Sequence, residues 1–118
     1  MRVLHPWAFG APGAAARVTE FQSIVSSFGD PAQTALTEYG WSTGPEPDPY
    51  HKADETTQAA IVKATYALAK QKNLAFVDWF NYLDGPGITY GLRRADLSWK
   101  PSARAYCEAA GAKSCPAP

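Results

Sequence analysis

From about Ala14 to Phe28 the apolar residues Val18, Phe21, Ile24, Val25 and Phe28 recur at helical spacing along one stripe, and Gly29-Asp30-Pro31 stops the helix they predict. Gln33 to Glu38 then reads as a short apolar strand that ends on a carboxylate. A loop rich in proline and acid follows from Trp41 to Ala53. Asp54 is predicted to cap a second helix, which carries Ala60, Ile61, Ala64, Leu68 and Ala69 on one face and closes near Lys70–Asn73. Leu74 to Phe80 is a near-continuous apolar run broken by Asp78, the pattern of a strand buried on both faces. A second long loop, Asn81 to Lys100, holds the turn former Asp84-Gly85-Pro86-Gly87. Pro101 suits the first turn of a last helix, roughly Ser102 to Ala110, with Gly111 as its stop. Ahead of the first helix, Val3-Leu4-His5 reads as the end of a strand whose beginning is missing, and Gly10 to Gly13 is expected to be loop.

The order is strand end, helix, strand, helix, strand, helix. Such βα repetition predicts parallel strands joined by right-handed crossovers. In folds of that kind the working residues gather at the C-terminal ends of the strands. His5, Glu38 and the Trp79–Asp84 segment all fall there. A charge at the tip of an apolar strand is costly unless it has a use, which singles out Glu38.

The chain's 118 residues are 46% hydrophobic and 19% charged, enough for one domain, 1–118, with a core of its own. Eleven basic residues balance eleven acidic ones, which argues against nucleic-acid binding and against an anionic membrane surface. No apolar run approaches the roughly 20 residues needed to span a bilayer. No signal peptide is visible after Met1. Aromatics reach 13%, with four tryptophans and six tyrosines, a supply of flat faces that suits sugar rings as well as cores. Cys107 and Cys115 either close a small loop behind the last helix or stay free thiols. No CxxC and no His/Cys cluster at metal spacing is present, so no metal and no cofactor are expected.

The motifs resemble the C-terminal part of a retaining glycoside hydrolase of clan A, the (β/α)8 barrel group that includes cellulases, mannanases and xylosidases. His5-Pro6-Trp7 resembles the end of the sixth strand. Thr37-Glu38-Tyr39-Gly40-Trp41 resembles the end of the seventh, which carries the nucleophile in that group. Asp54-Glu55-Thr56-Thr57-Gln58-Ala59 is similar to the opening of the seventh helix. Trp79-Phe80 through Asp84 resembles the eighth strand and its loop. Gly91-Leu92 and Lys100-Pro101 resemble the segment that leads into the last helix.

The resemblance implies an α/β fold, a partial TIM barrel of about strands six to eight with their helices. It implies Glu38 as nucleophile, with His5, Trp7, Trp41, Trp79 and Asp84 toward a carbohydrate substrate, Trp79 as the stacking platform. Trp7 stands where many relatives place a tyrosine that hydrogen-bonds the nucleophile; its indole N–H can donate in the same direction. The acid/base of the group lies at the end of the fourth strand in an Asn-Glu-like motif, and this chain contains no Asn-Glu pair. A fragment that hydrolyses β-linked glycosides only as part of a larger, secreted parent is therefore expected, inactive by itself. The alternatives are a non-catalytic half-barrel that binds carbohydrate or a partner and self-associates through its open sheet edges, and an unrelated small α/β module.

Overall fold

The computed structural model describes residues 1–6, 10–45 and 51–118. It contains three strands, β1 (Arg2–Leu4), β2 (Thr34–Tyr39) and β3 (Val77–Trp79), and three helices, α1 (Gly10–Ser27), α2 (Glu55–Gln71) and α3 (Pro101–Ala109). The strands form one parallel sheet in the order β1-β2-β3. Each connection between strands contains a helix, as parallel pairing requires.

The helices cover one face. Leu36 of β2 and Val77 of β3 are buried together with Val18 of α1, and Leu4, Tyr66, Leu68 and Ala69 pack around them. The opposite face is less covered: Val3, which alternates with Leu4, is 52% exposed, although its cross-strand partner Ala35 is buried. α3 packs more extensively against α2 than α1 does.

Two expectations are corrected. Gly10 to Gly13 is the first turn of α1, not loop. Pro12 is compatible because an N–H in a helix's first turn has no intrahelical acceptor to lose. The apolar run Leu74–Phe80 is not buried on both faces: only Val77–Trp79 is strand, Phe76 is 39% exposed, and Asp78 is exposed. With helices on a single face, that run has one apolar layer to pack against. Its backbone still follows β2, through Ala75 N–H to the Thr34 carbonyl and Leu36 N–H to the Phe76 carbonyl.

The helix ends obey local chemistry. The Asp54 carboxylate accepts the Thr57 N–H at 2.6 Å, and this bond holds its pKa below the usual carboxylate range. The chain leaves α3 through Gly111, whose φ of +76° is the left-handed conformation that favours glycine. Behind α3, Cys107 and Cys115 are joined by a disulfide. No described helix is long and apolar enough to cross a membrane.

Candidate active site

Strict alternation along β2 would put Glu38 on the same face as Leu36, against the helices. A bulge prevents this. Leu36 pairs with Val77 and Tyr39 with Trp79, so three steps along β2 match two along β3. Tyr39 is thereby turned to the helix side, where it is buried with Ala14 and Trp41 in a cluster against which Ile61 packs. Thr37 and Glu38 face away from that core, half-buried and exposed respectively. The extra residue thus spares the core a carboxylate and fills its place with a ring.

His5 follows β1 directly and meets both of them. Its Nε2 lies 2.5 Å from Thr37 Oγ1, and its Nδ1 lies 3.7 Å from Glu38 Oε2. Nearly half of each side chain is exposed, 45% for His5 and 47% for Glu38. The imidazole is therefore hydrogen-bonded to the Thr37 hydroxyl and lies beside, but not bonded to, the Glu38 carboxylate that the next residue presents to solvent. A carboxylate in this setting can accept hydrogen bonds or attack an electrophile; the histidine can hold it in place.

Beneath the rim lies an aromatic layer. Tyr39 contacts Trp41 edge-on at 5.0 Å and Trp79 at 6.2 Å, and Trp41 contacts His51 at 5.5 Å. Burial pushes the Tyr39 hydroxyl up to about 12, with Thr65 beside it pulling the other way. Trp41 is only 3% exposed, so almost none of its ring is left for a ligand. Trp79 is half-buried and donates its indole N–H to the Tyr90 carbonyl at 3.0 Å. It also forms, with Asp78, Tyr82, Trp99 and Tyr106, part of the wall of an apolar cavity of about 430 Å³ between β3 and α3. Trp7 lies outside the described residues.

Asp84 is only 10% exposed. Its carboxylate meets the Lys100 ammonium at 2.7 Å and accepts the Gly91 N–H at 2.8 Å. The structure thus brings His5 and Glu38 together, gathers Trp41 and Trp79 around Tyr39, and engages Asp84 with Lys100.

Two residues that hold the rim carry little signal in the sequence. Gln58, fully buried on α2, donates from one amide nitrogen to the carbonyls of Trp41 at 2.7 Å and Tyr90 at 3.3 Å. It ties the loops after β2 and β3 to the same helix. Its place in the Asp54–Ala59 motif, four residues after the capping aspartate, is the signal that pointed toward it. Arg94 grips Glu55 with two nitrogens, at 2.8 and 2.6 Å, and donates to the Trp99 carbonyl at 2.7 Å. Those bonds to Glu55 raise its guanidinium pKa further. Among the described residues no group of three or more His, Cys, Asp or Glu side chains could hold a metal ion.

No protein-family model matches the sequence, and no curated protein proved similar enough to count as a match. Solved structures do match. A β-glucuronidase from Bifidobacterium dentium, complexed with coumarin-3-O-glucuronide, superposes with a TM-score of 0.63 at 18% identity over 86% of this chain and 18% of its own. A family 39 glycoside hydrolase from Bacteroides cellulosilyticus gives 0.56 at 26% identity over 80% and 19%. A GH5_18 protein from Streptomyces cattleya, in complex with GlcNAc, gives 0.60 at 22% over 98% and 32%. The chain spans about a fifth to a third of the length of these proteins. Its fold is that of a segment of glycoside hydrolases, the group its motifs resemble.

Proposed function

We propose that residues 1–118 form the sixth, seventh and eighth βα units of a (β/α)8 barrel belonging to a retaining clan A glycoside hydrolase, with Glu38 as the nucleophile. One observation carries this reading. The β2 bulge takes a carboxylate out of the core at the C-terminal end of the middle strand and sets it beside His5, which ends the preceding strand. Catalytic groups of barrel enzymes occupy such strand ends. The motifs on all three strands agree with it in order and spacing.

In the proposed reaction the Glu38 carboxylate attacks the anomeric carbon as the glycosidic bond breaks, giving a glycosyl ester that water then hydrolyses. His5, with Nδ1 3.7 Å from Glu38 Oε2, stands where a small movement would let it steer the carboxylate. The leaving group needs a proton from a second carboxyl about 5–5.5 Å away. That group would come from polypeptide beyond these residues, at the end of another strand. A barrel typically takes about 250 residues, against which three βα units supply an incomplete ring. In this reading the next strand would pair with the free edge of β3, beside the apolar cavity.

The test is mechanism-based labelling of the complete enzyme with a 2-deoxy-2-fluoro glycoside that forms a slowly hydrolysed ester. Mass spectrometry of the digest should find the sugar on the peptide containing Glu38. A label on a different carboxylate would overturn the assignment. Glu38→Gln should lower kcat roughly a thousandfold or more, as removal of a nucleophile does.

A further inference from the structure

We infer that Lys100 is a positioning residue whose ammonium acts as a tethered cation, fixing the loop after β2 against the loop after β3. Lys100 precedes α3 in extended conformation (φ −84°, ψ 160°), and its backbone N–H is bound to the Leu92 carbonyl at 3.0 Å. From there the side chain runs inward and is 1% exposed. Its Nζ reaches Thr43 Oγ1 at 2.8 Å, Asp84 Oδ2 at 2.7 Å and Oδ1 at 2.9 Å, and the Thr89 carbonyl at 3.2 Å. Thr43 belongs to one loop; Asp84 and Thr89 belong to the other.

The nitrogen's polar partners are all oxygens and the set spans both loops, so the charge and not the alkyl stem joins them. An ammonium has three hydrogens to give, and these partners take all three. Asp84 is pinned in turn by the Gly91 N–H at 2.8 Å, and the loops meet again through Thr43 N–H to the Thr89 carbonyl at 2.9 Å. A buried charge is tolerated only where such partners surround it, so the oxygens and the ammonium fix each other. An apolar side chain of equal volume would fill the space without drawing the oxygens together. The loop held by Thr43 is the one that leaves β2 through Gly40 and Trp41, directly after Glu38. The clamp is independent of what Glu38 does.

Chemical rescue tests it on the 118-residue chain. Lys100→Ala removes three methylenes and the ammonium, the outline of n-propylammonium. It should lower the melting temperature by more than about 10 °C and move the amide resonances of Thr43, Thr89 and Gly91. Propylammonium should restore both, and 1-propanol, with nearly the same stem but no charge, should restore neither. Equal rescue by propanol would mean that packing of the stem is what matters, and would overturn the proposal. Should Lys100→Ala fail to fold, Lys100→Met keeps the stem, and paired with Asp84→Asn it leaves no lone buried charge. That double variant should melt near the parent temperature with the Thr43 and Thr89 amides displaced, while Lys100→Arg returns them toward their original positions. Undisturbed amides in the double variant would overturn the clamp.

Discussion

The α-carbon of Gly40 faces the backbone carbonyl of Phe80 so closely that a methyl group on it would stand 2.1 Å from the oxygen. Phe80 also donates its N–H to the Tyr39 carbonyl at 2.9 Å, so the contact sits at the point where β2 and β3 part. Gly40→Ala should therefore force the two strand ends apart, at a cost of about 1–3 kcal/mol or more. Gly85→Ala, where an added methyl meets nothing within 4 Å, is the control and should change stability by less than about 0.5 kcal/mol. Urea unfolding of both variants makes the comparison.

Gln58→Leu should destabilise the chain by about 1–3 kcal/mol, because it leaves the carbonyls of Trp41 and Tyr90 without their buried amide donor. Thermal melts measure the loss. A change in tryptophan fluorescence before the main transition is expected too, since Trp41 and Trp79 share that carbonyl layer.

Stability should decline as pH rises above about 10. Burial raises the Tyr39 hydroxyl to about 12, so between the ordinary tyrosine value and that point the unfolded chain loses a proton that the folded chain keeps. The contribution is complete below pH 10 and falls away as pH climbs toward 12, about 2–3 kcal/mol in all. Tyr66 is shifted in the same direction by burial and by Tyr106 beside it, which adds to the slope. Tyr39→Phe should flatten the alkaline arm of a stability–pH curve measured by denaturant unfolding.

The disulfide joins cysteines eight positions apart and should contribute about 2–3 kcal/mol by restricting the unfolded chain. Replacing both Cys107 and Cys115 by serine should lower the unfolding free energy from urea titration by that amount, with a slope equal to or steeper than the parent's because the unfolded chain is released. Pro116, next to Cys115, lines the cavity beside β3, so its neighbours Tyr106 and Trp99 should show the largest shifts in the spectrum.

Periodicity and capping propensity were enough for α2 and its aspartate cap, because both depend on side chains close in sequence, and the succession of elements was enough for the parallel βα order. The first turn of α1 was hidden by Gly10, Pro12 and Gly13, residues that favour loops until packing of Ala14 and Val18 against β2 extends the helix toward them. The bulge in β2 was invisible for a different reason. Nothing in Leu36-Thr37-Glu38-Tyr39 marks an extra residue; it exists because Tyr39 gains a buried aromatic site and Glu38 avoids one. Asp84 was legible as a rim residue, but its partner lies sixteen positions away at the head of a helix, where a lysine ordinarily points to solvent.

The uneven attachment of the helices has a dynamic consequence. α2 and α3 brace each other, while α1 is held mainly by Ala14 and Val18 against the sheet and by one bond from the Gln22 amide to the Lys72 carbonyl. Ile24 and Phe28 near its far end are 52% and 82% exposed. Native-state hydrogen exchange should accordingly divide the chain into two cooperative units, with α1 and β1 opening first and the α2–β3–α3 body protected to the full free energy of unfolding. His5 rides on the labile unit and Glu38 on the strand between them, so the fastest opening in the molecule would separate that pair.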